Sequence, residues 1–272
     1  MSKKNIIKDL LSLTSDLKHN FFKEEPIIDR RKSVRNKEEY VLQTDIASQE
    51  YLVEIAKGYH PDCKIISEEL NNYHDLSFHD EGLVIIDPLD GTHNYYFGLP
   101  MWGFSYTVFS KSKESQESYI GIPMLDTLLS CYKSEVWAHN LNQEISDYKI
   151  EPKISKMNIS DQMIAFDNQF YKDPECMKRN YEILIDNSFT TRISGSAVFD
   201  IAMILLGKLN ARIWHDTDIY DIAPAFAFMN KHGFILNLDS GIEAKIKDRR
   251  VVCTTDMTLH HQLKDIGFLF KT

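Results

Sequence analysis

"LVIIDPLDGTHNYYFGLP", residues 83–100, sets an apolar run, Leu83 to Ile86, against two aspartates, Asp87 and Asp90, with Pro88 between them and Gly91-Thr92 after them. A short apolar run of this kind reads as a buried strand. An Asp at the carboxyl end of such a strand projects into the crevice where α/β proteins place ligands. Pro88 has no donor and stiffens the turn, so Asp87 and Asp90 are held near one another. Two carboxylates that close repel unless something positive sits between them, and oxygen-only ligands in a constrained cup suit Mg²⁺ or Mn²⁺. Gly91 lets a ligand approach the backbone, and free N–H groups where a helix could begin at Thr92 attract phosphate. Taken alone, Asp-x-x-Asp also reads as a capped helix start, with Asp90 satisfying backbone donors and Asp87 in a surface pair. The whole string Asp-Pro-x-Asp-Gly-Thr arises by chance in a chain this long on the order of once in ten thousand.

The rest of the chain frames that stretch. Its 272 residues, 43% hydrophobic and 26% charged, suffice for one large domain or two lobes and exclude disordered and membrane classes. A formal net charge of -9 argues against a nucleic-acid partner, so phosphate chemistry here calls for metal ions. No export signal is legible in "MSKKNIIKDLLSLTSDL", and the four cysteines, Cys63, Cys131, Cys176 and Cys253, have no metal or disulfide spacing. They read as reduced, buried small hydrophobes of a cytoplasmic protein.

Helical spacing from Ile6 to Phe22 predicts an amphipathic helix ending before Pro26, and the polar "DRRKSVRNKEEY" predicts a loop. "TDIASQEYLVEIAKGYHP" predicts a helix with Thr44 or Asp45 as N-cap. The runs "CKIISEE", "GLVIID", "WGFSYTVFS", "SYIGIPM" and "LLSCYKSEVW" predict a largely antiparallel sheet. After a polar stretch from about 140 to 163, strands alternate with helices: "QMIAFD", a helix near 174–187, "FTTRIS", "SAVFDIAMILLGK", "ARIW", "DIAPAFAFMNKHG", "FILNL", "VVCTT" and a last helix "TLHHQLKDIGFLF". This divides the chain into an N-terminal α+β lobe, 1–145, and a C-terminal α/β lobe, 146–272.

"DPLDGT" after an apolar strand resembles the signature of the inositol monophosphatase family of metal-dependent, lithium-sensitive phosphatases, and companion motifs follow the family's order over roughly residues 40 to 235. "IISEE" resembles its strand-terminal Glu-Glu and makes Glu68 a metal ligand. "VLQTD" supplies Asp45, and "IYDIAPAFAFMNKHG" resembles a second signature whose aspartate is Asp221, with Tyr220 in place of Trp and Pro224-Ala225 in place of Ala-Gly. "RISGSAVFDIAMILLGKLNA" resembles the stretch that contacts the substrate's alcohol through Gly195, Ser196 and Ala197. Without the family, a Glu-Glu pair is a solvated turn, Asp45 a helix cap and Ser196 an N-cap.

The resemblance implies a layered α-β-α-β-α sandwich (α+β / α/β) of the sugar-phosphatase type. It implies two or three Mg²⁺ ions, one held by Glu68, Asp87 and the Leu89 carbonyl, a second by Asp87, Asp90 and Asp221, and a weaker third near Glu68. Asp45, Glu68 and Thr92 are the implied catalytic residues, with Thr92 and Asp45 orienting the attacking water and the Gly91 and Thr92 N–H groups binding phosphate. Asp90 and Asp221 border the substrate. The implied partner is a small phosphorylated metabolite such as inositol 1-phosphate, with no nucleic acid and no membrane, and the implied assembly is a homodimer. Substrates of 3′-phosphoadenosine 5′-phosphate, fructose bisphosphate, NADP or histidinol phosphate type stay open, as does a non-catalytic relative of the fold. The family's acidic sugar-reading residue, seven positions before the metal aspartate, is here Trp214, so polyol recognition passes to His215, Asp216 or Asp218, or Trp214 simply ends a strand and packs. His93 either contacts a ligand or faces solvent.

Overall fold

The computed structural model describes residues 3–34, 37–70, 81–112, 114–142, 144–151 and 153–271. In chain order the elements are α1 (Lys3–Lys23), β1 (Ile28–Val34), β2 (Lys37–Leu42), α2 (Gln43–Tyr59), β3 (Cys63–Ser67), β4 (Gly82–Asp90) and α3 (Thr92–Tyr96). Next come β5 (Gly103–Phe109), β6 (Ser115–Ile122), β7 (Thr127–Tyr132), β8 (Glu135–Asn140), β9 (Tyr148–Ile150), β10 (Met163–Phe166), α4 (Pro174–Asn187) and β11 (Thr190–Arg192). The chain closes with α5 (Ala197–Leu205), β12 (Ala211–Trp214), α6 (Ile219–His232), β13 (Phe234–Asn237), β14 (Val251–Thr254) and α7 (Leu259–Asp265). No helix among the described residues is long and apolar enough to cross a membrane.

Strands β3 to β9 form a seven-stranded sheet in sequence order, parallel only between β3 and β4. A five-stranded sheet runs β11-β10-β12-β14-β13. Side chains alternate across β4, and both sides are apolar because both are covered. Leu83 and Ile85 pack into a core with α5 and α6, while Val84 and Ile86 pack into another with α1 and α2. The core shared with α5 and α6 also takes Ala165, Trp214, Val251 and Cys253 from one face of the small sheet. That sheet's other face, Ile164, Phe166, Ile213 and Val252, packs on Met177 and Leu184 of α4 and on Leu259 and Leu263 of α7. The layers are therefore α1/α2, large sheet, α5/α6, small sheet, α4/α7, the α-β-α-β-α sandwich expected from the sequence.

Three local readings differ. "DRRKSVRNKEEY" is not a loop: β1 and β2 form an antiparallel ribbon, with the Arg31 guanidinium 5.6 Å from the centre of the Tyr40 ring. Its pairing has no apolar alternation behind it, so composition concealed it. "LLSCYKSEVW" is a hairpin, not one strand, because Lys133 and Ser134 take φ of 49° and 60° and turn the chain without the usual Asn-Gly. Finally, α2 starts at Gln43, so Asp45 sits in its first turn and the capping position falls to Leu42. None of the four cysteines is in a disulfide, but only Cys131 and Cys253 are buried; Cys63 and Cys176 are half-buried.

Candidate active site

Strand β4 runs through Asp90 rather than stopping before Asp87. Residues three apart on a regular strand face opposite sides. Opposite β4, however, Asp87 pairs with Ser105 and Asp90 with Gly103, so three steps on β4 match two on β5. The extra residue is a bulge at Pro88-Leu89, where Pro88 has no N–H to give the ladder, and it turns both carboxylates to one side. Asp221, in the first turn of α6, meets them from the helix layer packed on that side of the large sheet. Oxygens of Asp87, Asp90 and Asp221 all lie within 4.8 Å of one another.

Each of the three is held differently. Asp221 Oδ2 accepts from Thr217 Oγ1 at 2.8 Å and from the Asp218 N–H at 3.3 Å. Asp90 Oδ2 accepts from Ser196 Oγ at 2.5 Å and from the Val198 N–H at 2.6 Å. Asp87 Oδ1 is buried with no hydrogen-bond donor among the described residues. Burial, then the charges of Asp90, Glu68, Asp221 and Asp45, lifts the Asp87 carboxyl well above the ordinary range. Burial pushes Asp90 up to about 6 against the opposing pull of Ser196, Val198 and Arg212, and pushes Asp221 to about 7 with help from Asp90 and Asp218. Buried anions with so little compensation call for a cation, and an all-oxygen set of this size fits Mg²⁺.

Glu68 opens a short 3₁₀ turn after β3 and stands outside the tightest group, though its charge raises both Asp87 and Tyr220. Its neighbour Glu69 is buried in an ion pair with Arg30 of β1. Thr92 Oγ1 lies 3.0 Å from Asp45 Oδ1 and 3.0 Å from the Leu89 carbonyl, while Asp45 Oδ2 accepts from the Leu42 N–H at 2.8 Å. Burial raises Asp45 to about 7, which the Leu42 and Thr92 hydrogen bonds moderate. Gly91 has φ 87°, and a Cβ there would meet Met101 O at 3.0 Å and Trp102 Cβ at 3.2 Å.

Gly195, with φ 79°, lies against the Asn94 side chain, and Ser196 caps α5 by accepting from the Phe199 N–H at 3.1 Å. The Ser196 hydroxyl points at Asp90, and Ala197 begins the helix. Trp214 is 2% exposed at the end of β12, with its Nε1 unpartnered among the described residues and the Arg212 guanidinium 5.2 Å from its ring centre. Packing is thus its role. His215, expected as a polyol reader, is 1% exposed, bonded to Asn180 and set beside the Phe166 ring. Asp216 faces Lys172, and Asp218 pairs with Arg249 at 2.5 Å. His93 is exposed beside the Tyr40 ring. Sequence reasoning passed over Ser194, Asp200 and Arg212, whose signal was a charge inside an apolar helix and another inside the strand "ARIW".

Fold and site together define a layered α/β protein in which carboxylates from β4 and α6 meet in a group that could hold a divalent cation. The family model described as "Inositol monophosphatase family" matches residues 10–266. An inositol monophosphatase of Dictyostelium discoideum is 28% identical over 214 residues, covering 78% of this chain and 77% of that protein. A staphylococcal inositol monophosphatase-1 soaked in LiCl superposes with a TM-score of 0.78 at 20% identity, over 97% of this chain and 92% of that one. An IMPase/NADP phosphatase complexed with Mg²⁺ and phosphate gives 0.75 at 19%, over 98% and 97%. The chain belongs to the inositol monophosphatase family, and it is a phosphatase hydrolase.

Proposed function

We propose that the chain hydrolyses a small phosphate monoester of the inositol 1-phosphate type by direct attack of water. The observation that carries this is the meeting of Asp87, Asp90 and Asp221 within 4.8 Å, beside the Thr92–Asp45 pair. Glu68, Asp87, the Leu89 carbonyl, Asp90 and Asp221 would hold two Mg²⁺ ions, with a third near Glu68. When bound, Mg²⁺ lowers the pKa of water and offsets charge on the departing oxygen. Thr92 orients the water through its hydroxyl, whose proton Asp45 accepts, and a carboxyl near pH 7 is well matched to that task. Gly91, held at φ 87° where a side chain would crowd Met101, Ser196 and Trp102, turns the chain into α3, and the Gly91 and Thr92 N–H groups there would meet phosphate. Gly195 and Ala197 flank the alcohol side. A homodimer working in the cytoplasm belongs to the same reading and rests on the family resemblance.

Substrate choice differs from an acid-read polyol, because the packed Trp214 ring offers no acceptor to a sugar hydroxyl. NADP and other 2′-phosphorylated nucleotides are therefore the second group to test. The experiment is a screen of phosphorylated metabolites with Mg²⁺, including inositol 1-phosphate, fructose bisphosphate and NADP. Turnover of at least one of them, lost in chelator and inhibited by Li⁺, is expected; phosphate release undiminished by excess chelator ends the proposal. Thr92→Ala is expected to lower turnover by about 10²–10³-fold while Mg²⁺ binding measured by calorimetry is kept, since the threonine serves the water and not the cation. Equal loss of both would move Thr92 into a structural role.

A further inference from the structure

Asp90 is aimed by a turn that belongs to the other lobe. Both donors to its Oδ2 come from residues 194–198, at 2.5 Å and 2.6 Å, and bonds this short to a carboxylate fix its rotamer, with a carboxylate oxygen within 4.8 Å of oxygens of Asp87 and Asp221. That turn is clamped from three sides. Asn94 Nδ2, from α3, donates to the Ser194 carbonyl at 2.8 Å and to the Met101 carbonyl at 2.5 Å. Ser194 Oγ lies 2.8 Å from Asp200 Oδ2 and 3.0 Å from the Ser196 carbonyl, and it accepts from the Ser196 N–H at 3.2 Å. Arg212, on the middle strand of the small sheet, pairs with Asp200 and reaches Ser194 Oγ at 3.4 Å.

Arg212 and Asp200 are each only 3% exposed. Burying such a pair costs desolvation that the attraction barely returns, and well-packed apolar residues in the same volume usually serve folding as well or better. The Arg212 Nε even has no acceptor among the described residues. Stability alone therefore does not explain the pair. Its position does: the guanidinium lies against the turn, paired with Asp200 and 3.4 Å from Ser194 Oγ.

We propose that Arg212, acting through Asp200 and Ser194, is a positioning residue that holds the 194–198 turn so that Ser196 and Val198 present Asp90 to the cation. The inference rests on the metal-site reading above. It assigns the Ser196 hydroxyl to carboxylate orientation, and it makes the small sheet part of the cation site through a buried charge that touches neither substrate nor metal.

The test uses the full chain, Mn²⁺ as probe, calorimetric affinity without substrate, and melting temperature in chelator. Ser196→Ala and the double variant Asp200→Leu/Arg212→Met are each expected to weaken Mn²⁺ binding by about 10–100-fold, the range for partners that orient metal ligands. The double variant is expected to melt in chelator at or above the wild-type temperature, which a merely structural role would not give. Ser196→Thr, which keeps the hydroxyl, is expected to restore affinity. If Asp221→Asn abolishes Mn²⁺ binding but Ser196→Ala and the double variant bind as wild type, the positioning role is overturned while the metal site stands. If wild type itself fails to bind Mn²⁺, both are overturned. Should the double variant not fold, Ser194→Ala replaces it with the same two outcomes.

Discussion

Asp221→Asn is expected to lower Mg²⁺-dependent phosphate release by about 10³-fold, or ~4 kcal/mol of transition-state stabilisation at about 1.4 kcal/mol per tenfold. The substitution is nearly isosteric, and Thr217 Oγ1 and the Asp218 N–H still find an oxygen to meet, so the first turn of α6 is preserved. What disappears is one of three anions grouped within 4.8 Å, and it is the one that ties α6 to the β4 bulge. The loss should appear in kcat as well as in the Mg²⁺ concentration for half-activity, because the carboxylate serves the cation in the ground state and in the transition state alike. Steady-state rates over a Mg²⁺ titration decide it. A variant that regains full kcat at high Mg²⁺ would confine Asp221 to recruiting the ion, and one that behaves as wild type throughout would remove it from the site.

The second large effect is on stability. Asp45 and Asp221 are held at about 7 and Asp90 at about 6, against an unfolded value of 3.8, and Asp87 is raised as well, each chiefly by burial. For an acid whose folded pKa is the higher one, the native state binds more protons between the two values, so stability falls as pH rises through that window. The metal-free protein should therefore be more stable near pH 5 than near pH 8, with the penalty complete just above 7. Such an acid loses about 1.4 kcal/mol for each pH step of one inside its window, and each kcal/mol moves the melting temperature of a chain this size by about 2–4 °C. Even one of these carboxyls, titrating between pH 5 and pH 7, gives a drop of roughly 5–10 °C in chelator on that scale. Saturating Mg²⁺ would neutralise Asp87, Asp90 and Asp221 and should flatten their share of the profile, stabilising most at pH 8. Melting curves across pH 5 to 8, with Mg²⁺ and with chelator, give the answer. Parallel slopes in the two series would show that Asp87, Asp90 and Asp221 do not face a common cation.

How legible this was in the sequence varies by physical cause. The apolar run before Asp87, the cap at Ser196 and the helix at 174–187 were readable because local pattern and tertiary burial agree there. The β1–β2 ribbon was not, since its strands carry runs of charge rather than an alternating apolar face, and the Lys133-Ser134 turn uses positive φ at residues that do not advertise it. The metal aspartates could be named from spacing and resemblance, yet the way they converge could not. Asp87 and Asp90 come to one side only through a backbone irregularity, and Arg212, on the other sheet, meets the turn beside Asp90 through Asp200 of α5 and Ser194. Side-chain chemistry was visible in one dimension; its supports, separated by about a hundred residues, were not.

The bulge in β4 also says how this centre can be lost. Between Asp87 and Asp90 the partner strand advances by one residue fewer, so the pair is encoded by the count of residues between them as much as by their identity. Removing Leu89 would leave both acids opposite their present partners on an ideal ladder, but would take away the bulge and with it the Leu89 carbonyl, which lies 3.0 Å from Thr92 Oγ1 and is one of the proposed cation ligands. A lineage that shed this residue would keep its sandwich and fall catalytically silent in a single step, and a length change at this point is the first thing to inspect in any relative suspected of having given up chemistry.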